Sequence, residues 1–163
     1  MEIKIIGFDA DDTLWVNEPY FQETEKKFCL LLSEYLESED ITAELLKTEM
    51  QNIELYGFGA KSFMLSMIET ANRISNHKVS SIIIDKIIKL GKELLDRPVE
   101  LLDGVENVLQ KLNGKYKLIV ATKGDLLDQE RKLRKSGIGK YFHHVEIMSG
   151  KKEENYKSLL NHL

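Results

Sequence analysis

The stretch Ile3-Lys4-Ile5-Ile6-Gly7-Phe8-Asp9-Ala10-Asp11-Asp12-Thr13-Leu14 decides how the rest of the chain is read. Its first half, Ile3 to Phe8, is short, rich in isoleucine and bounded by an acidic cluster. That is the pattern of a buried strand rather than an amphipathic one. In a parallel sheet, ligands bind beyond the carboxyl ends of the strands, and Asp9 stands at that end. Asp11, two residues on, can point to the same side. Two carboxylates so close repel unless a cation lies between them. Hard oxygen donors of this kind suit Mg²⁺, which takes one or two carboxylates and fills its shell with water and substrate phosphate. Asp9 and Asp11 are therefore the candidate metal ligands.

After this turn the period changes. Phe21, Phe28, Leu31, Leu32, Tyr35 and Leu36 recur at helical spacing, with Asn17 as a candidate N-cap and Pro19 in the first turn. Leu45 to Tyr56 continues the pattern up to Gly57. Phe63, Met64, Met67, Ile68, Ala71 and Ile74 mark a third helix, and Ile83 to Leu95 a fourth. Ile82 to Ile84 also reads as a strand. Pro98 closes the run, because the residue before a proline avoids helix. Four consecutive helices predict a compact bundle.

Beyond Pro98 strands and helices alternate. Asp103-Gly104-Val105-Glu106 resembles a capping box with Asp103 at the cap. Tyr116 to Ala121 reads as a strand, Leu126 to Ser136 as a helix ended by Gly137, and Val145 to Met148 as a strand. Glu153 to Leu163 reads as a helix with Tyr156, Leu159, Leu160 and Leu163 on one face. Alternation of this kind predicts right-handed crossovers and a parallel sheet. The expected fold is α/β: a parallel, Rossmann-like sheet core of residues 1–16 and 99–163, interrupted by an inserted α-helical cap domain of residues 17–98.

Two more strand ends carry chemistry. The second runs into Thr122-Lys123-Gly124-Asp125, where a hydroxyl, a cation and the amide groups of a helix start could hold an anion. The third runs into Ser149-Gly150-Lys151-Lys152 and delivers an ammonium group to the same rim. Carboxylate pair, hydroxyl and lysine together suit a phosphate.

These motifs resemble those of the haloacid dehalogenase superfamily over nearly the whole chain. The first motif, a strand followed by D-x-D-x-T, matches Asp9, Asp11 and Thr13. The resemblance implies that Asp9 is the nucleophile that forms an aspartyl-phosphate. It makes Asp11 the acid to the leaving alcohol and then the base for water, with its backbone carbonyl on Mg²⁺. Thr122 matches the second motif and would hydrogen-bond the phosphoryl group. Lys151 matches the third and would balance charge, with Lys152 as the alternative. Asp12, Thr13 and Lys123 complete the expected phosphate-binding set. The family's fourth motif, further acids on a later strand, has no counterpart after Lys152. The sequence is therefore expected to be either part of a longer parent chain, the preferred reading, or a degenerate member.

The implied activity is Mg²⁺-dependent hydrolysis of a small phosphorylated metabolite. Asp11 separates this from a dehalogenase, whose halide leaving group needs no proton and whose sequences lack an acid there. A non-catalytic phosphate-binding or regulatory protein on the same scaffold is the alternative from another class. Composition excludes others. The 163 residues hold 23 Lys and Arg against 27 Asp and Glu, a net charge of −4 with both signs interleaved, so no nucleic-acid surface is expected. Cys29 is the single cysteine, which excludes a disulfide framework. It reads as a small buried hydrophobe. Trp15 reads equally as core or as a lid contact. His143 and His144 are adjacent, so in a strand they face opposite ways and would not share a metal. No apolar run approaches a membrane span and no secretory signal opens the sequence, so a cytoplasmic protein is expected.

Overall fold

The structure, a computed structural model, describes residues 3–162. The chain divides into two compact units, one of residues 1–18 with 98–163 and one of residues 19–97.

The first unit is built on three parallel strands, β1 (Ile5–Phe8), β2 (Lys117–Lys123) and β3 (His144–Met148), in the order β1-β2-β3. Phe8 pairs with Val120 and Thr122 with Ile147, so all three strands run out on the same rim. β2 is central, and its side chains alternate between two cores as strand pleating requires. Leu118 and Val120 join Ala10, Leu14, Trp15, Leu109, Ile138 and Tyr141. Ile119 and Ala121 join Met148 and Leu159. Three helices follow this frame: α5 (Val105–Leu112), α6 (Leu126–Ser136) and α7 (Glu153–His162). Leu109 comes from α5 and Leu159 from α7, so each core is closed by a helix. The segments entering and leaving the other unit run side by side here, Val16 N–H donating to the Glu100 carbonyl and Leu102 N–H to the Leu14 carbonyl.

The second unit holds most of α1 (Glu18–Leu31), with α2 (Ser38–Tyr56), α3 (Ala60–Ile74) and α4 (Ser81–Leu95). Phe28, Leu32, Ile41, Leu45, Met67 and Ile87 form its centre. Met67 is fully buried there. At Gly91 an added Cβ would lie 2.5 Å from the Met64 sulfur, so α3 and α4 approach too closely for any side chain. No helix among the described residues is long and apolar enough to cross a membrane.

Several local expectations are corrected. β1 is half-buried and has one hydrogen-bonded neighbour, and Ile3 is exposed outside it. Helix α1 stops at Leu31; Leu32, Tyr35 and Leu36 keep the apolar pattern because the turn itself packs on the core. Ile82 to Ile84 is helical, with the Ser80 hydroxyl accepting from Ile83 N–H at 3.3 Å. The cap of α5 is Gly104, in the left-handed region at φ 81°, and Asp103 makes no capping bond. On α7, Leu159 is buried while Tyr156 and Leu160 are exposed; Leu163 lies outside the described residues.

Candidate active site

The loop after β1 folds on itself before it leaves the sheet. Thr13 and Leu14 donate to the Ala10 carbonyl, at 3.1 and 2.8 Å, and Asp12 N–H donates to the Trp15 carbonyl at 2.8 Å. Asp12 takes φ 56°, a conformation that asparagine and aspartate tolerate better than most residues. This tight turn sets Asp9 and Asp11 beyond the end of β1 and buries Trp15 beneath them.

Asp9 is the more open carboxylate, its side chain 42 % exposed. One of its oxygens accepts the Ala10 N–H at 2.8 Å and forms an ion pair with Lys151. Of the two adjacent lysines, Lys151 is the one that makes this contact. Lys151 reaches the site, whereas Lys152 is exposed and its N–H bonds Asn155 at the start of α7.

Asp11 is surrounded by donors. Its Oδ1 accepts from the Trp15 indole Nε1 at 2.8 Å and from Lys132 Nζ at 2.9 Å. Its Oδ2 accepts from Gln129 Nε2 at 2.7 Å. The same Gln129 nitrogen lies 3.3 Å from the Lys123 carbonyl, tying the Asp11 loop to the end of β2. Lys132 also donates to Asn17 Oδ1 at 2.7 Å and faces Asp128 at 3.8 Å. Asn17 stands directly before α1 with its side-chain oxygen on Lys132, and the carboxylate of Asp12 holds the N–H groups of Asn17 and Glu18, each at 3.0 Å.

Thr122 is buried at the end of β2, and its hydroxyl lies 3.5 Å from the Lys123 carbonyl, long for a hydrogen bond. Lys123 is half-buried beside it, and Thr13 is exposed in the turn. The start of α6 is less open to an anion than expected: the Asp125 carboxylate accepts the Asp128 N–H at 3.0 Å and puts negative charge there. Gly124 bridges strand and helix at φ 136°, where an added Cβ would lie 3.1 Å from Gln129 Nε2. His144 bonds Glu146 at 3.0 Å while His143 accepts the Leu118 N–H at 3.2 Å, so the two imidazoles do not converge.

Residues 3–159 match the model of a family described as haloacid dehalogenase-like hydrolases. The chain belongs to that family. The structure of a haloacid dehalogenase-like hydrolase from Xanthomonas campestris has 37% identity and a TM-score of 0.92, over 98% of this chain and 67% of that one. Two further members share the fold. A magnesium-bound hydrolase from Bacillus subtilis has 17% identity and a TM-score of 0.61, covering 100% of this chain and 73% of its own. The L-2-haloacid dehalogenase of Xanthobacter autotrophicus has 14% identity and a TM-score of 0.63, covering 99% and 65%. No curated protein matches the sequence. A hydrolase with a Rossmann-like α/β core is thus established, and Asp9, Asp11, Thr122 and Lys151 stand at the strand ends where such a core binds ligands.

Three members of the cluster, Gln129, Lys132 and Asn17, are absent from the motif reading. The available signal was spacing: Gln129 and Lys132 are three apart on the first turns of the helix after Thr122, and so share one face.

Proposed function

We propose that this hydrolase cleaves a small phosphomonoester, with Asp9 as nucleophile and Asp11 as proton carrier. The observation that carries the reading is the pairing of an open carboxylate, Asp9, with the Lys151 ammonium, next to a second carboxylate. An oxygen of Asp9 attacks phosphorus and the ester P–O bond breaks. The leaving oxygen takes a proton from the carboxyl of Asp11. Water then attacks the aspartyl-phosphate, gives its proton to the Asp11 carboxylate, and inorganic phosphate leaves with Asp9 restored. Lys151 and the Thr122 hydroxyl counter the charge on the transferring group. A halide would leave without a proton, so a carboxyl at position 11 able to carry one favours phosphate ester over haloacid as substrate.

Asp9 has the hard-oxygen chemistry that Mg²⁺ accepts, and with the Asp11 backbone carbonyl it would hold the ion. The Asp11 side chain does not fit that task, since both its oxygens already face donors. Among the described residues no group of three or more acidic, histidine or cysteine ligands gathers around a metal. When bound, Mg²⁺ would offset phosphate charge.

The test is acid-quenched turnover of p-nitrophenyl phosphate with Mg²⁺, followed by peptide mass analysis. A phosphoryl adduct on Asp9, lost in Asp9→Asn, is expected. Turnover that leaves no adduct, or one on another residue, would overturn the assignment.

A further inference from the structure

Helix α6 brings two side chains to Asp11 that none of the family motifs includes. Lys132 lies 2.9 Å from Oδ1 and Gln129 2.7 Å from Oδ2, so each oxygen is gripped from the same helix, and Trp15 completes a three-point hold. Lys132 is itself fixed by Asn17 at 2.7 Å and by Asp128, which pairs with Arg131. Gln129 is buried, and among the described residues its Oε1 has no hydrogen-bond partner. That orphan acceptor is informative. Turning the amide over would set Oε1 against a carboxylate oxygen, acceptor on acceptor, so the charge on Asp11 dictates which way the amide faces.

We propose that Lys132 and Gln129 are positioning residues for Asp11, clamping its carboxyl for proton transfer. The inference rests on the reading of Asp11 as proton carrier. Two χ angles otherwise leave an aspartate free to swing out of line, and catalytic groups need placement to within a fraction of an ångström. A carboxyl held in line for the transfer speeds turnover rather than substrate binding.

The chain contains a single tryptophan, and its indole N–H donates to Asp11. The Trp15 indole N–H resonance therefore reports where Asp11 points, with no need for activity. Asp11→Ala marks the position of the unbonded indole. Lys132→Met and Gln129→Leu should each move the resonance toward that position, with the remaining amide spectrum retained. If either variant loses that spectrum, Lys132→Gln or Gln129→Met replaces it. A resonance fixed at its wild-type position in both variants would overturn the proposal.

Kinetics with p-nitrophenyl phosphate supply the second arm. Lys132→Met should lower kcat about tenfold, a fraction of the whole effect of a general acid, with KM within about twofold. In the Asp11→Ala background the same substitution should cost nothing further, because it acts through Asp11. An additional loss there, or a loss confined to KM, would also overturn the proposal. If the wild-type protein releases no phosphate, the phosphomonoester reading fails, while the indole resonance still decides whether α6 clamps Asp11.

Discussion

Between α2 and α3 the helical unit buries Thr48, Asn52, Ser66 and Thr70, and each finds a partner inside that seam. Thr70 donates to the Thr48 hydroxyl at 2.9 Å, Thr48 to the Glu44 carbonyl at 3.0 Å, and Asn52 to Ser66 at 3.1 Å. Arg73 closes the seam on Thr48 at 2.8 Å. The α/β unit buries Asp128 against Arg131 and Lys132, yet leaves other polar groups short of partners. Among the described residues, the Thr122 hydroxyl has one long contact, Gln129 Oε1 has none, and Asp9 is half-open. Satisfied polar groups hold helices in register, whereas an open hydroxyl or carboxylate at a strand end can still bond a ligand. Residue type does not distinguish the two cases; partner count does.

The largest expected effect separates chemistry from stability. Asp9→Asn should lower phosphomonoester turnover at least ~10³-fold, as loss of a nucleophile does, and move the melting temperature by no more than about 2 °C. A large loss of stability would mean that Asp9 is structural, like the residues of the seam.

Next comes one substitution made in both units. Thr70→Val removes a donor from a closed buried network and should cost ~1–3 kcal/mol in urea unfolding. Thr122→Val removes a hydroxyl with little to lose in the folded protein. It should cost under about 0.5 kcal/mol yet lower turnover about tenfold or more. Equal destabilisation by the two changes would break the comparison.

The smallest effect is electrostatic. Hydrogen bonds from Lys27 and then Arg97 hold the Glu23 carboxyl down from 4.5 to about 2. A lowered carboxyl stabilises the folded state above its ordinary value, and that contribution fades as pH falls through the interval. The side chain is 45 % exposed and its ion pairs are screened by water, so Glu23→Gln should leave neutral-pH stability nearly unchanged and slightly flatten the acid limb of a pH–melting curve. Steeper acid loss in the variant would reverse the sign.

Much of this was legible in the sequence because parallel sheets put their chemistry at strand ends. Asp9, Thr122 and Lys151 each follow a short apolar run, and that placement, together with the motifs they resemble, marked them. Gln129 and Lys132 escaped because α6 is strongly polar, and spacing alone cannot separate a helix face turned to a carboxylate from one turned to water. Asn17 was read only as a cap; the left-handed turn at Asp12, which local propensity does not announce, sets a carboxylate on the Asn17 and Glu18 amides. Asp103 lost its cap to Gly104, whose positive φ lets the chain enter α5 without a side-chain bond.

Lys151 sits two residues before α7, and among the described residues that helix buries one side chain, Leu159. Elements with so little apolar burial open locally well before the whole domain unfolds. Each such opening would carry the ammonium away from Asp9 while the central strand, packed on both faces, stays intact. Heating should then act as a reversible fuse: the nucleophile loses its counter-charge at a temperature set by the docking of a ten-residue helix, below that at which the sheet melts.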